Sequence, residues 1–177
     1  VICKPAKITV ITDNPEEILY VRKKALETRE ESRLKIEGHT IHYDGYYDQG
    51  RDRERTAVLL PQGQKVSRSI NTLDRDTGLK EIHELLDGSM GGKEMLVRFF
   101  CLSPTNSRFS IGALQLTDSF YVGHSEDLLY RSGYEQFKRL NGSDDFFSFI
   151  HSAGELDERK CSKHSDRRKV YIDVVDK

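Results

Sequence analysis

Three arginines, Arg51, Arg53 and Arg55, occupy alternate positions in the segment 48–58, DQGRDRERTAV. A guanidinium presents two parallel N–H donors to a carboxylate or phosphate, so an arginine at a strand mouth is a ready anion clamp. Extended backbone would turn residues 51, 53 and 55 to one side. Gly50 precedes them and the apolar run 57–60 follows, so the cluster falls in a loop that feeds a strand. A plainer reading stands beside this one. Asp52 and Glu54 interleave with the arginines and would make a solvated, self-neutralising charge run. On these residues alone the plainer reading is favoured.

The segment 87–94, DGSMGGKE, has the outline of a phosphate loop but not its chemistry. The first glycine of GxxxxGK[ST] is replaced by Asp87, and Glu94 stands where a Ser or Thr would hold Mg²⁺. The segment also precedes a strand, whereas a phosphate loop follows one, so it reads as a helix end and a turn. Among the histidines, His39 and His42 are the closest pair, and strand spacing sends them to opposite faces. His124, His151 and His164 have no ligand-like neighbours at useful spacing, so all are read as ordinary polar histidines. No Ser-His-Asp set can be argued from order alone. Cys3, Cys101 and Cys161 are odd in number and lack both CxxC spacing and an activating neighbour. That pattern excludes a disulfide framework or zinc knuckle and predicts a reducing, cytoplasmic setting.

The elements that must position these residues can be read from periodicity and punctuation. Residues 7–12, KITVIT, predict a strand, and Asn14 and Pro15 then cap and open a helix running to about Glu30. Glu17 completes a box-like cap, Ile18, Val21, Ala25 and Leu26 give the buried stripe, and the charged remainder is expected to be solvated. Alternation over 39–43 gives a short extended stretch. Residues 57–60 predict a buried strand closed by Pro61, and 77–86 a helix with Leu79, Ile82, Leu85 and Leu86 inward and Gly88 past its end. Residues 94–102 and 111–116 are the clearest strands, joined by a Pro-containing loop at 103–110. A short helix at 134–140, an apolar segment of open type at 146–150, an exposed connection at 155–168 and a last strand at 169–175 complete the order. Strands and helices mix without a regular βαβ rhythm. The fold class is therefore α/β in the mixed α+β sense, a mixed sheet flanked by helices.

Composition narrows the classes. At 177 residues, 36% hydrophobic and 32% charged, the chain suits one compact soluble domain, and the high charge content fits a thermophile's ion-pair surface. A net charge of -1 argues against a general nucleic-acid binder. No apolar run approaches a membrane span and no signal peptide is visible. Asn141-Gly142-Ser143 matches a glycosylation sequon but reads as a turn. The chain opens at Val1 without a Met and closes on a strand, which reads as a segment of a longer polypeptide.

Several motifs, in order, resemble the N-terminal domain of GTP-dependent phosphoenolpyruvate carboxykinases. Asp48, Arg51, Arg55 and Thr56 match that family's Asp-x-x-Arg-x-x-x-[Lys/Arg]-Thr approach to a strand. Residues 3–5 (CKP) with the acids after Asp13, residues 88–95 (GSMGGKEM), 116–119 (LTDS, then Tyr121 and Val122), 151–154 (HSAG) and 166–168 (DRR) are similar to further family segments. Ser103-Pro104 replaces a commoner Gly-Pro, and Arg98 and Cys101 are unusual in their strand. The wording of 99–110 and 124–131 is closest to an archaeal branch.

The resemblance implies that residues 1–177 form the substrate-side domain, with Arg51 binding the carboxylate of oxaloacetate or phosphoenolpyruvate. It implies no catalytic residue, metal ligand or nucleotide contact within this chain. GTP and Mn²⁺ or Mg²⁺ would be held by a missing C-terminal domain of the same protein, with no nucleic-acid or membrane partner. A stand-alone carboxylate-binding or structural domain of the same fold is the alternative.

Overall fold

The computed structural model describes residues 2–45 and 53–176. In chain order the elements are β1 (Lys7–Ile11), α1 (Pro15–Glu27), β2 (Ser32–Arg33), β3 (Thr40–Ile41), β4 (Thr56–Leu60), β5 (Thr72–Asp74) and α2 (Arg75–Leu86). There follow β6 (Glu94–Cys101), β7 (Gly112–Thr117), α3 (Phe120–Leu129), β8 (Arg131–Ser132), α4 (Tyr134–Arg139), β9 (Phe146–His151) and β10 (Val170–Asp173). The mixed α/β class holds, with the strands divided between two compact units. No helix among the described residues is long and apolar enough to cross a membrane.

The first unit comprises Val1–Lys4, Asp44–Ser89 and Gly154–Lys177. Its sheet has the order β10-β4-β5, parallel throughout, with α2 packed on one face. Asp74 caps α2 by accepting from the Thr77 amide at 3.0 Å, so the helix begins two residues before the expected Thr77. Gly78 is required by close approach: a Cβ there would stand 2.3 Å from Leu59 Cδ2. Arg75 and Asp173 tie helix to strand through two guanidinium nitrogens, at 2.8–3.1 Å. Gly88, with φ +67°, turns the chain after α2 as its position predicted.

The second unit comprises Pro5–Tyr43 and Met90–Ala153. Its mixed sheet runs β1-β6-β7-β9, with β8 paired to the end of β6. Ile11, Val21, Ala25, Leu96 and Phe120 form the core between the sheet and α1 and α3. Each large apolar side chain buried there contributes about 1.5–3 kcal/mol. Asn14 caps α1 as expected, but Glu17 reaches past it to the Thr12 amide at 2.7 Å and hydroxyl at 2.6 Å. The segment 146–150 resolves as β9, parallel to β7. Asn141 and Gly142, both at positive φ, make the expected turn.

One expectation is corrected here. The first helix was expected to run to about Glu30 with a solvated charged face; Glu16, Arg22, Lys23 and Glu27 are exposed, yet α1 stops at Glu27, and Glu30 and Glu31 are only 8% and 5% exposed. Arg29, at φ +62°, bends the chain so that both carboxylates turn inward.

Candidate functional site

Arg51, the predicted carboxylate clamp, and Asp48 lie outside the described residues, so their geometry is not part of the site that follows. Arg53 and Arg55 are described. Residues 53–55 form a bend and turn, so the extended alternation that would align the arginines does not operate between them. Arg53 donates to the Ser69 carbonyl at 3.1 Å, and Arg55 donates to the Ser165 carbonyl at 2.6 Å. The Arg55 carbonyl accepts from the Val170 amide at 3.0 Å, and Asn71 donates to the Arg53 carbonyl. The entrance to β4 is thus fastened on both sides, to residues 69–71 and to residues 165–170. Thr56 opens β4 itself.

The second unit gathers three of the sequence motifs at one end of its sheet. Lys93 stands before β6, Asp118 after β7, and Ser152 after β9; these ends coincide because β6 runs antiparallel to β7 and β7 parallel to β9. Asp118, whose side chain is fully buried, accepts from Lys93 Nζ at 2.6 Å, Ser152 Oγ at 2.9 Å and the Ala153 amide at 3.0 Å. Thr117 Oγ1 and His151 Nδ1 are 3.0 Å apart in the adjoining register pair. A carboxylate with three donors is a fixed brace, not a free base or metal ligand. Sequence reading quoted each of these motifs separately and gave no sign that they meet.

Glu30 was missed. Its Oε2 accepts from Ser119 Oγ at 2.7 Å and from the Tyr121 amide at 3.0 Å, satisfying orphan donors at the start of α3. Ser119 Oγ in turn accepts from the Val122 amide, so the N-terminus of α3 is capped twice. His42 Nδ1 is 2.6 Å from the Glu30 carbonyl, and its ring stacks on Tyr121 with centroids 3.6 Å apart. The helix that follows LTDS was not read from the sequence, and the glutamate that completes its cap is 89 residues away.

Beneath α3 lies a denser group. Arg98 is buried on β6, donates to the Gly123 carbonyl at 3.3 Å and pairs with Asp127. Gln115 is its register partner on β7, and Glu126 adjoins Asp127 on the helix. His124 Nδ1 meets Glu31 Oε1 at 2.7 Å. Burial holds the Glu126 and Asp127 carboxyls above their ordinary range, opposed by the charge of Arg98. At the edge of the same sheet, burial also pushes Glu94 up. There, hydrogen bonds from Thr9, Lys7 and Tyr20 outweigh it and hold the carboxyl below its usual value.

Among the described residues no group of three His, Cys, Asp or Glu side chains could hold a metal ion. The 87–94 turn is the C-terminal cap of α2 followed by the approach to β6, with Asp87 donating its amide to the His83 carbonyl at 3.0 Å.

The sequence profile of the phosphoenolpyruvate carboxykinase N-terminal domain matches residues 1–176. The chain belongs to the phosphoenolpyruvate carboxykinase family. Curated relatives named phosphoenolpyruvate carboxykinase [GTP] include proteins from Thermococcus kodakarensis, at 60% identity over 98% of this chain, and Pyrococcus horikoshii, at 57% over 98%. A more distant one, from Saccharolobus solfataricus, is 45% identical over 98%. The similarity to archaeal members seen in the wording of the chain is thus found. The chain spans only 28% of the length of the first two relatives and 27% of the third.

Proposed function

We propose that this chain is the substrate-side, N-terminal domain of a cytoplasmic GTP-dependent phosphoenolpyruvate carboxykinase, spanning residues 1–177. The observation that carries this reading is identity of 55–60% to five relatives of that name, over nearly the whole chain but less than a third of theirs. In the reaction, oxaloacetate loses CO₂ to leave an enolate. The enolate oxygen then attacks the γ-phosphorus of GTP as the bond to GDP breaks, giving phosphoenolpyruvate. GTP and Mn²⁺ or Mg²⁺ are assigned to polypeptide outside the matched span, where the metal would offset phosphate charge.

This chain's part is positioning. Arg51 grips the substrate carboxylate with two parallel hydrogen bonds and orients it for transfer. The fastening of Arg55 and Thr56 at the β4 entrance supports this, because it fixes the residues that closely follow Arg51 in sequence. Phosphoenolpyruvate formation from oxaloacetate, GTP and Mn²⁺ is the test, run on the 177-residue chain and on the complete gene product. Turnover only in the complete product is expected. Turnover in neither would leave a stand-alone carboxylate-binding or structural domain. Arg51→Ala in the complete product should cost about 2–4 kcal/mol in kcat/KM, and near-normal kinetics would remove Arg51 from the site.

A further inference from the structure

Residues 53–55 form a bend and turn before β4 begins at Thr56, so their position depends on fastenings outside the regular ladder. Residues 69–71 supply a reciprocal pair. Arg53 donates its guanidinium to the Ser69 carbonyl at 3.1 Å, and the Asn71 side-chain amide donates back to the Arg53 carbonyl. The two bonds close a latch across 16 and 18 residues of sequence.

Both anchors of the latch are themselves held. The Asn71 carbonyl accepts from the Val58 amide at 2.9 Å, next to the register pair of Val58 and Thr72 that joins β4 to β5. A turn closed by the Ile70 amide on the Ser67 carbonyl, at 3.0 Å, presents the Ser69 carbonyl. Asn71 therefore acts from the sheet. The residue that it holds, Arg53, is two positions after Arg51, a reach of at most about 7 Å along the chain. Neither Asn71 nor Arg53 belongs to the motif of Asp48, Arg51, Arg55 and Thr56. A two-pronged grip on a carboxylate is sensitive to small displacements of its base, and one hydrogen bond that holds the base changes occupancy by about 2- to 10-fold.

We propose that Asn71 is a positioning residue for substrate binding. Through the Arg53 carbonyl it holds the residues that follow Arg51, and so tunes affinity for the carboxylate of oxaloacetate or phosphoenolpyruvate. It touches neither the substrate nor the reacting atoms. The assignment rests on the functional reading above, in which Arg51 is the clamp.

A double-mutant cycle in the complete gene product tests it. Asn71→Ala removes the donor, adds no charge and leaves the backbone bond to Val58 in place. KM for oxaloacetate should rise about 3- to 10-fold, while KM for GTP stays within about twofold. In the Arg51→Ala background the same change should alter kcat/KM for oxaloacetate by less than about twofold, because no clamp is left to position. Arg53→Met cuts the reciprocal bond to Ser69 and should act in the same direction; it decides by the same criteria if Asn71→Ala does not fold. An unchanged KM for oxaloacetate, or equal rises in both KM values, overturns the positioning role. So does a full Asn71→Ala effect in the Arg51→Ala background. The single Arg51→Ala variant separates the two failures. Near-normal kinetics there remove the functional reading, whereas a large loss with an additive Asn71→Ala removes the positioning role alone.

Discussion

Asp118 and Asp127 each pair with a basic side chain on or just before β6, and the two regions handle buried charge differently. Around Asp118 the accounting closes: both carboxylate oxygens accept, and the donors are a lysine, a serine and a backbone amide. Around Asp127 it does not. Among the described residues Asp127 Oδ2, Glu31 Oε2 and His124 Nε2 are buried without a partner, and the Gln115 amide, lying against the Glu126 carboxyl, makes no well-formed hydrogen bond to it. Each orphaned group costs about 1–3 kcal/mol in desolvation. The first arrangement stabilises the joint of three strands; the second holds α3 on the sheet through Arg98 at a standing cost. Burying a charge is thus neither stabilising nor destabilising in itself. What decides is whether the remaining lone pairs and protons find partners.

That contrast can be broken from either side. Arg98→Met should be the most damaging change, about 4 kcal/mol in a urea melt, because it leaves the Asp127 and Glu126 carboxyls beneath α3 without their cation. A loss below about 1 kcal/mol would mean that the guanidinium is not what the acids depend on. Asp118→Ala should cost about 3 kcal/mol by removing the buried acceptor shared by Lys93, Ser152 and the Ala153 amide. In the unsatisfied region a neutral member should matter least: Gln115→Leu relieves a poorly satisfied buried amide but removes its interaction with the Glu126 carboxyl, so thermal melting should show a change within about 1 kcal/mol.

The smallest effect is in pH dependence. Glu126 and Asp127 bind a proton more tightly folded than unfolded, so their contribution is fully present below their ordinary values of 4.5 and 3.8. It is lost as pH rises through the raised folded values. Glu126→Gln should therefore flatten the decline in stability on the alkaline side of that window. An unchanged slope would show that Glu126 does not titrate in the folded protein. Asp173, held low by Arg75, has the opposite sign, and its contribution disappears as pH falls.

Elements with a single clean period were legible before any coordinates. β1, β4, β6 and β7 and the helices α1 and α2 fall where their apolar spacing and caps put them. α3 was not read, and its sequence explains why. Leu128 and Leu129, 77% and 69% exposed, break the apolar stripe, and Gly123 lies in its middle for close contact with Val21 and Leu96. β5 and β8 are too short to carry a period. The type of β9 depended on its partner, since apolar side chains fall on both of its faces. At the site level, motif order identified the family, but the convergence of Lys93, Asp118 and Ser152 is a property of strand direction. The inward turn of Glu30 and Glu31 depends on one left-handed residue, Arg29, in a stretch that otherwise looks solvated.

The second unit is discontinuous along the chain, and this has a consequence during synthesis. Among the described residues β1 pairs only with β6, and Lys7 meets Glu94 across a separation of 87 residues. At about 5–20 residues per second, the nascent strand waits roughly 4–17 s after translation before its partner exists. During that interval the unpaired backbone of β1 and Ile11, which is buried only once the sheet forms, are on offer to chaperones or to neighbouring ribosomes' products. The rate of elongation through 44–89 therefore governs how long the first strand is at risk.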